Sequence, residues 1–186
     1  MQSGRPLLVI VSGAPASGKT TLARRLAADG DLTLLSKDAI KEALADALGH
    51  PQSVVASSTL GVGAYAAMYA MASRLLESGV GVVLESNFRR GQSEDELTRL
   101  GPGADARAVH CAARSATIRD RYRSRASERH PAHLDAARSQ DVMRDLRDGL
   151  YEPLALDWPR VVILTDDDAQ SAYAGVRAFV LDRQRE

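Results

Sequence analysis

The stretch Gly13-Ala14-Pro15-Ala16-Ser17-Gly18-Lys19-Thr20 decides the fold, because it matches the phosphate-binding pattern G-x-x-x-x-G-K-[ST] at every fixed position. The apolar run Leu7–Val11 precedes it and the helical pattern Thr21–Ala27 follows it. A strand, a glycine-rich turn and a helix in this order direct backbone N–H groups and the positive helix end toward one anion. An ordinary strand–helix turn would match the pattern only by accident. The stretch therefore predicts a nucleotide phosphate site.

Three side chains at the end of this motif have predicted tasks. Lys19 is expected to place its charge on the β- and γ-phosphates, and the Thr20 hydroxyl to bind Mg²⁺. We assign the adjacent Thr21 to the nucleotide site as well. The remaining predicted nucleotide contacts come from the loop itself, namely Gly13, Ala14, Pro15, Ala16, Ser17 and Gly18.

Length and composition limit the possible organisation. The chain has 186 residues, 24 basic and 24 acidic side chains, and a net charge of +0, which suits one domain over residues 1–186 and predicts no general polyanion-binding surface. The single cysteine, Cys111, lies in an apolar stretch, so it is expected to be a buried core residue and suits a reducing cytoplasm. We expect a cytoplasmic protein without a membrane partner, since no run resembles a transmembrane segment or signal peptide.

Short apolar segments alternate with helical patterns along the chain. Strands are predicted at Leu7–Ser12, Leu32–Leu35, Val80–Glu85, Ala106–Cys111 and Val161–Thr165. Helices are predicted at Gly18–Ala28, Asp38–Leu48, Thr59–Ser78, Ser93–Leu100, Ser115–Arg129, Ala136–Leu150 and Ala169–Arg183. This succession favours a mostly parallel sheet with helices on both faces, whose ligands bind beyond the carboxyl ends of the strands.

Acidic residues follow two of these strands. Asp38 is either the N-cap of its helix or a carboxylate that orients an acceptor hydroxyl and takes its proton; one side chain can do both. Glu85 ends the third strand, where phosphate-loop enzymes place a second metal-binding acid, although it can instead contact the acceptor. Arg89 and Arg90 follow it, either as a solvated loop or as phosphate or acceptor contacts.

An arginine-dense helix follows the fourth strand. Arg121 and Arg125 lie four residues apart on one helical face, with few acidic partners nearby. A solvated helix surface is the ordinary explanation; we favour a closing lid over residues 119–139 that carries arginines onto the phosphates. Pro131 is expected to break this helix, and His130 and His133 to be loop residues without a metal.

These residues resemble the small phosphate-loop kinases often described as AAA-type ATP-binding kinases, which are similar in plan to chloramphenicol phosphotransferase, zeta toxins, the kinase domain of polynucleotide kinase, and gluconate and shikimate kinases. The resemblance rests on Gly13–Thr20, Leu35–Ile40 and the pattern Ile118-x-x-Arg121-x-x-x-Arg125. It implies a three-layer α/β/α sandwich with a five-stranded parallel sheet in the order 2-3-1-4-5 and an arginine-rich helical lid.

The resemblance also implies tasks for particular residues. Asp38 corresponds to the presumed base at the acceptor hydroxyl, and Arg121 and Arg125 to arginines at the ATP phosphates, with Arg129 as a further candidate. The loop Thr165–Asp168 would help to hold adenine. Glu85 departs from the more usual aspartate near the third strand.

The sequence therefore predicts an ATP-dependent phosphotransferase that uses Mg²⁺ and moves the γ-phosphoryl group to a hydroxyl of a small molecule. Lys19, Asp38, Arg121 and Arg125 are its predicted catalytic residues, and Thr20 and Glu85 its predicted metal ligands. Two alternatives within enzymes are a polynucleotide 5′-hydroxyl kinase and a sugar-nucleotide kinase. A nucleotide-dependent switch ATPase is an alternative of another class. Neither the acceptor nor the choice between monomer and homodimer follows from the sequence.

Overall fold

The computed structural model describes residues 4–125, 129–166 and 169–182. Five parallel strands form one sheet in the order β2-β3-β1-β4-β5, as predicted. Their bounds are β1 Leu7–Gly13, β2 Thr33–Ser36, β3 Val82–Glu85, β4 Asp105–Ala112 and β5 Arg160–Leu164. The first strand is central because its run of apolar residues can be buried on both faces.

The described residues form seven α-helices and one turn of 3₁₀ helix at Pro131–His133. The helices are α1 Lys19–Gly30, α2 Lys37–Leu48, α3 Val54–Glu77, α4 Glu94–Leu100, α5 Ser115–Arg125, α6 Asp135–Arg147 and α7 Ala169–Leu181. Helices cover both faces of the sheet, which gives the three layers that the resemblance implied.

Side chains of the central strand alternate between two cores. Val9 and Val11 pack with Leu26 of α1 and Val176 of α7 on one face. On the other face, Leu8 and Ile10 pack against Met68 and Ala72 of α3 and Leu97 of α4. Because successive side chains of a strand point to opposite faces, this one strand joins both helical layers.

Two helix boundaries differ from the predictions by four residues or more. Helix α3 begins at Val54 rather than Thr59, because Ser53 caps it by accepting a hydrogen bond from the Ala56 N–H at 3.2 Å. The helix predicted to reach Arg129 ends at Arg125 within the described residues, and Arg129 lies outside it. Residues 126–128 of the predicted lid lie outside the described residues. Pro131 begins the 3₁₀ turn and so does separate the two helices.

Helix α3 also modifies the expectation about membrane segments. Among the described residues it is the one helix long and apolar enough to cross a membrane, judged by length and composition alone. Its inner face, with Ala64, Met68 and Ala72, packs against the protein interior. The side chains that this helix buries in the protein interior therefore account for part of its apolar composition.

Candidate active site

The glycine-rich loop between β1 and α1 has the conformation that its sequence requires. Gly13 has a φ of 144° and Gly18 a φ of 85°, values that residues with a Cβ rarely adopt. A Cβ at Gly13 would lie 2.4 Å from the backbone oxygen of Cys111 and 2.6 Å from the Ser17 hydroxyl. The loop thus turns tightly against β4 and ends at the N-terminus of α1, where backbone N–H groups attract an anion.

A carboxylate and two hydroxyls meet beside this loop. The Thr20 hydroxyl donates to Glu85 Oε1 at 3.1 Å, and the Ser36 hydroxyl donates to Glu85 Oε2 at 2.7 Å. Ser36 and Glu85 are direct neighbours in the β2–β3 register, so the sheet itself positions this pair. The buried Lys19 ammonium donates to the Ala14 carbonyl at 3.4 Å and lies 3.9 Å from Glu85 Oε1.

The oxygen atoms of Thr20 and Glu85 are ligands that suit the predicted metal. Mg²⁺ prefers oxygen ligands and is bound through one or two protein groups with waters and substrate phosphates completing the shell. The Thr20 hydroxyl and the buried Glu85 carboxylate are such groups, and they already lie within hydrogen-bond distance of each other. Because the Lys19 ammonium lies next to these two groups, a metal held by them could also contact a phosphate that Lys19 binds.

Asp38 lies in the first turn of α2 between two cations. Its carboxylate accepts from Lys37 Nζ at 2.9 Å and from an Arg129 guanidinium nitrogen at 2.9 Å. Burial pushes the pKa of Asp38 up, but Lys37, His133, Arg129 and Lys19 together hold it far below its usual value of 3.8. Asp38 therefore remains ionised at any physiological pH. Within the described residues it caps no backbone N–H of α2.

Residues 129–133, which we call the lid turn, contact α2 from Asp38 to Asp46. Besides the Arg129–Asp38 pair, His133 Nε2 lies 2.8 Å from Glu42 Oε1. The Ala132 carbonyl accepts from the Ser57 hydroxyl of α3 at 2.7 Å. The same Ser57 oxygen accepts from Lys41 Nζ at 2.7 Å. The lid turn is thus held by hydrogen bonds and ion pairs to α2 and α3.

The lid turn also meets a cluster of Asp46, His50 and His130. Both histidine Nε2 atoms lie close to Asp46 Oδ1, at 3.1 Å for His50 and 3.0 Å for His130. His130 Nδ1 accepts the Ala132 N–H at 3.2 Å, so its Nε2 carries the hydrogen that points to Asp46. Asp46, His50 and His130 offer ligand atoms within 4.8 Å of one another, a spacing that could hold a metal ion. His130 is a loop residue, as predicted, and the expectation that it binds no metal stays a prediction.

A cavity of about 430 Å³ opens next to the phosphate loop. Lys19 and Asp38 both line it, together with Arg89, which the sequence offered as an acceptor contact. Arg89 pairs with Asp145 of α6. The wall of this cavity is completed by α2, α3, α6 and the lid turn, with Lys37, Lys41, Ser57, Tyr65, Tyr69, Asn87, Tyr122, Arg129, His133, Arg138, Val142 and Tyr151 among its residues.

A second cavity of about 350 Å³ lies on the other side of the loop. Its lining combines the loop and α1 with Arg121, Arg125, Ile163, Thr165 and Tyr173. Arg121 donates to the Thr165 carbonyl at 2.8 Å, and the Thr165 hydroxyl donates to the Ser17 carbonyl at 2.8 Å. Both predicted lid arginines therefore lie on this side, away from Asp38, whereas Arg129 is the arginine that reaches Asp38.

Several residues at the two cavities were not singled out in the sequence. Lys37 and Lys41 are buried on one face of α2, and their spacing of four residues was the signal for a shared face. Arg138 of α6 and Tyr173 of α7 have no such signal, since only the fold brings those helices to the cavities. Of the predicted adenine loop, Thr165 lines the second cavity, whereas positions 167 and 168 lie outside the described residues.

Buried groups near the site are not reactive. Cys111 is fully buried in the first core, and burial raises the pKa of its thiol to about 12. Burial likewise raises the pKa of Tyr65, whose hydroxyl is hydrogen bonded to Ser86 at 2.7 Å, to about 12. Neither group supplies a nucleophile at neutral pH.

Comparison with known proteins agrees with this geometry. The family model described as AAA domain matches residues 8–148. A candidate kinase from Chloroflexus aurantiacus j-10-fl is 33% identical, with a TM-score of 0.85 over 95% of this chain and 97% of that chain. No curated protein gives a match.

Two more distant structures share the fold. Chaetomium thermophilum Kti12, solved with ADP-AlF3, is 22% identical with a TM-score of 0.69, over 94% of this chain and 97% of that chain. A gluconokinase from Sinorhizobium meliloti 1021 is 18% identical with a TM-score of 0.52, over 96% of this chain and 91% of that chain.

Proposed function

The chain belongs to the AAA domain family and has the fold of the small P-loop kinases, and on that premise we propose that it transfers the γ-phosphoryl group of MgATP to a hydroxyl of a small molecule. One observation carries the proposal. Lys19 of the phosphate loop and the ionised Asp38 line the same cavity, so a phosphoryl donor and an acceptor can meet between them. A phosphate loop that served nucleotide binding alone would not need the adjoining cavity of about 430 Å³, which contains a carboxylate.

The nucleotide half of the site is proposed to use both sides of the loop. Adenine and ribose would occupy the second cavity beside Leu22, Ile163 and Tyr173, and the loop N–H groups and Lys19 would hold the phosphates. Arg121 and Arg125 line that cavity, where guanidinium groups can contact phosphates of the bound nucleotide. Mg²⁺, held by Thr20 and Glu85, would neutralise charge on the phosphate oxygens.

Asp38 is proposed to orient the acceptor rather than to act as a strong base. A carboxylate whose pKa is held far below 3.8 by neighbouring cations is a weak proton acceptor. In a loose phosphoryl-transfer transition state, positioning of the hydroxyl matters most, and its proton leaves as the new O–P bond forms. The acceptor oxygen gains the phosphoryl group, ADP leaves, and Asp38 receives the proton transiently.

Arg129 is proposed to supply positive charge at the point of transfer. It contacts Asp38 at 2.9 Å in the lid turn, and an acceptor hydroxyl at Asp38 would lie close to the same guanidinium group. Fixed cations at such a position stabilise the charge of the transferring group, and closure excludes water that would hydrolyse ATP. We also propose that residues 1–186 act as one kinase domain in the cytoplasm.

Transfer of label from γ-labelled MgATP to a panel of acceptors tests the proposal. The panel contains sugars, nucleosides, sugar nucleotides, phenicol and aminoglycoside antibiotics, and an oligonucleotide with a 5′-hydroxyl. We expect label on one class only. Asp38→Asn should keep nucleotide binding and lose transfer by about a hundredfold or more, whereas Lys19→Ala should lose both nucleotide binding and transfer.

Three outcomes would contradict parts of this proposal. Label on the oligonucleotide alone would replace the small-molecule acceptor with a polynucleotide. Rapid phosphate release without transfer to any acceptor would point to a switch ATPase. Unchanged nucleotide affinity and turnover in Lys19→Ala would refute the phosphate site itself.

A further inference from the structure

We infer that the acceptor is itself an anion, a small hydroxyl compound with a phosphate or carboxylate group that binds Arg138 in the cavity beside Asp38. This inference rests on the proposed function, because it names the class of molecule that occupies the acceptor cavity. The first observation behind it is the charge of the side chains that line this cavity. Six lining side chains are lysine or arginine, namely Lys19, Lys37, Lys41, Arg89, Arg129 and Arg138, whereas the lining carboxylates are Asp38 and Glu96.

Most of these charges have partners within the protein. Asp38 is shared by Lys37 and Arg129, so a single carboxylate serves two cations at the centre of the cavity. Arg89 is paired with Asp145, which lies behind the cavity wall. Glu96 is engaged by Arg99 on the exposed side of α4. The carboxylates near the cavity are therefore already occupied, and the cavity keeps an excess of positive charge.

Within the part of the chain that the structure describes, Arg138 is a cavity-lining cation without a partner. It lies in the second turn of α6 and is half-buried. Among the residues that the structure describes, its guanidinium group makes no hydrogen bond and no ion pair. A partly buried charge without a partner is costly. A planar guanidinium group with free donors is suited to bind a phosphate or carboxylate through two parallel hydrogen bonds.

The position of Arg138 favours the acceptor over the nucleotide. Arg138 lines the cavity that contains Asp38 and does not line the second cavity, where Arg121 and Arg125 lie. The next residue of α6 to line the same cavity is Val142, one turn further along the helix. The buried Lys41 of α2 lines the same cavity, with its ammonium group hydrogen bonded to Ser57, and it adds to the positive potential there.

The remaining wall suits the body of a small hydroxyl compound. Tyr65 and Tyr69 stack with ring centroids 5.9 Å apart, and aromatic faces of this kind pack against the C–H faces of a sugar or the plane of a base. The Asn87 side chain also lines the cavity and can bond a hydroxyl. A volume of about 430 Å³ is in the range of small-molecule sites. The cavity therefore has room for the small anion that we infer.

Binding of two simple anions to nucleotide-loaded protein tests this inference. Protein saturated with Mg²⁺ and the non-hydrolysable analogue AMP-PNP has its phosphate loop filled, so further anion binding reports the acceptor cavity. Inorganic phosphate and malonate are titrated separately by calorimetry at low ionic strength. Tighter binding of phosphate would indicate a phosphorylated acceptor, and tighter binding of malonate a carboxylated one.

Three variants test whether the anion binds at Arg138 in particular. Arg138→Gln should weaken binding of the preferred anion by about tenfold to a hundredfold, the range for a lost hydrogen bond to a charged group. Arg138→Lys keeps the charge without the planar fork and should recover part of that loss. Arg147→Gln, an exposed change of the same kind at the end of α6, should bind as the original protein does.

Two results would overturn the inference. The first is an AMP-PNP-loaded protein that binds neither anion. The second is anion binding that Arg138→Gln does not weaken relative to Arg147→Gln. Failure of AMP-PNP itself to bind would instead refute the proposed nucleotide site, so the two proposals fail by different observations.

Discussion

Single residues at the phosphate loop are constrained by contact as well as by chemistry. Gly13 faces the backbone of β4 so closely that no side chain fits, and Lys19 is buried although it is a cation. A buried lysine requires nearby acceptors, which Glu85 and the Ala14 carbonyl supply. The fixed positions of the motif are therefore fixed by packing and electrostatics together.

Gly13→Ala tests the packing constraint. The new methyl group would clash with the Cys111 carbonyl and would occupy a φ of 144°, so we expect a loss of about 1–3 kcal/mol in the free energy of unfolding. Nucleotide affinity should fall by at least about tenfold, because the loop N–H groups would be displaced. Urea unfolding and nucleotide titration measure the two effects.

Gly175→Ala is the matched control. Gly175 lies in α7, and a Cβ there would meet no atom within 4 Å. Alanine favours a helix over glycine by up to about 1 kcal/mol, so this variant should be as stable as the original protein or more so. If Gly13→Ala behaved in the same way, the close approach of the loop to β4 would be wrong.

At the scale of elements, the segment after β4 divides between the two cavities. Helix α5 carries Arg121 and Arg125 to the second cavity, while the lid turn carries Arg129 to Asp38, which lines the first cavity. The sequence pattern places these arginines on one continuous helix, and that expectation is wrong at Arg129, which lies outside it. Pro131 explains the difference, because a proline ends regular helix geometry before it.

Arg121→Ala tests the assignment of α5 to the nucleotide. Arg121 donates to the Thr165 carbonyl at 2.8 Å and lines the second cavity. Its removal should weaken MgATP binding by about tenfold, in line with the loss of a hydrogen bond from a charged group. Arg123→Ala, an exposed change on the same helix, should not affect affinity. Equal MgATP affinities for the two variants would mean that α5 is a solvated surface helix without a part in nucleotide binding.

At the scale of the whole molecule, two buried histidines make the stability of the fold depend on pH. Burial lowers the pKa of His110 in β4, and burial, opposed by Asp38 and Glu42, lowers the pKa of His133 in the lid turn, both from an ordinary value of 6.5. A lowered pKa means that the unfolded chain binds these protons more readily than the folded chain does. The stability that they contribute is therefore complete above pH 6.5 and is lost as pH falls through the lower folded pKa values.

We expect the free energy of unfolding to decrease as pH is lowered below 6.5. His133→Gln should flatten part of this slope, because one proton-linked group is removed. Thermal unfolding between pH 8 and pH 5 measures this slope. A slope identical in His133→Gln and the original protein would contradict the burial of His133.

Sequence alone determined the phosphate loop and the parallel sheet, and it predicted a site at the carboxyl ends of the strands. These follow from local patterns: a fixed spacing of glycine, lysine and threonine, and an alternation of short apolar runs with helices. The buried state of Cys111 followed in the same way from its apolar neighbours.

Only the tertiary structure decided which side chains meet at each cavity. Arg129 and Asp38 are separated by 91 positions, and Arg121 and Thr165 by 44. No spacing rule relates residues so far apart. Their contact depends on the strand order, which places the ends of β2 and β3 beside the loop after β1, and on the packing of α6 and the lid turn over that edge. That Arg138 has no partner among the described residues became evident only once its neighbours in space were known.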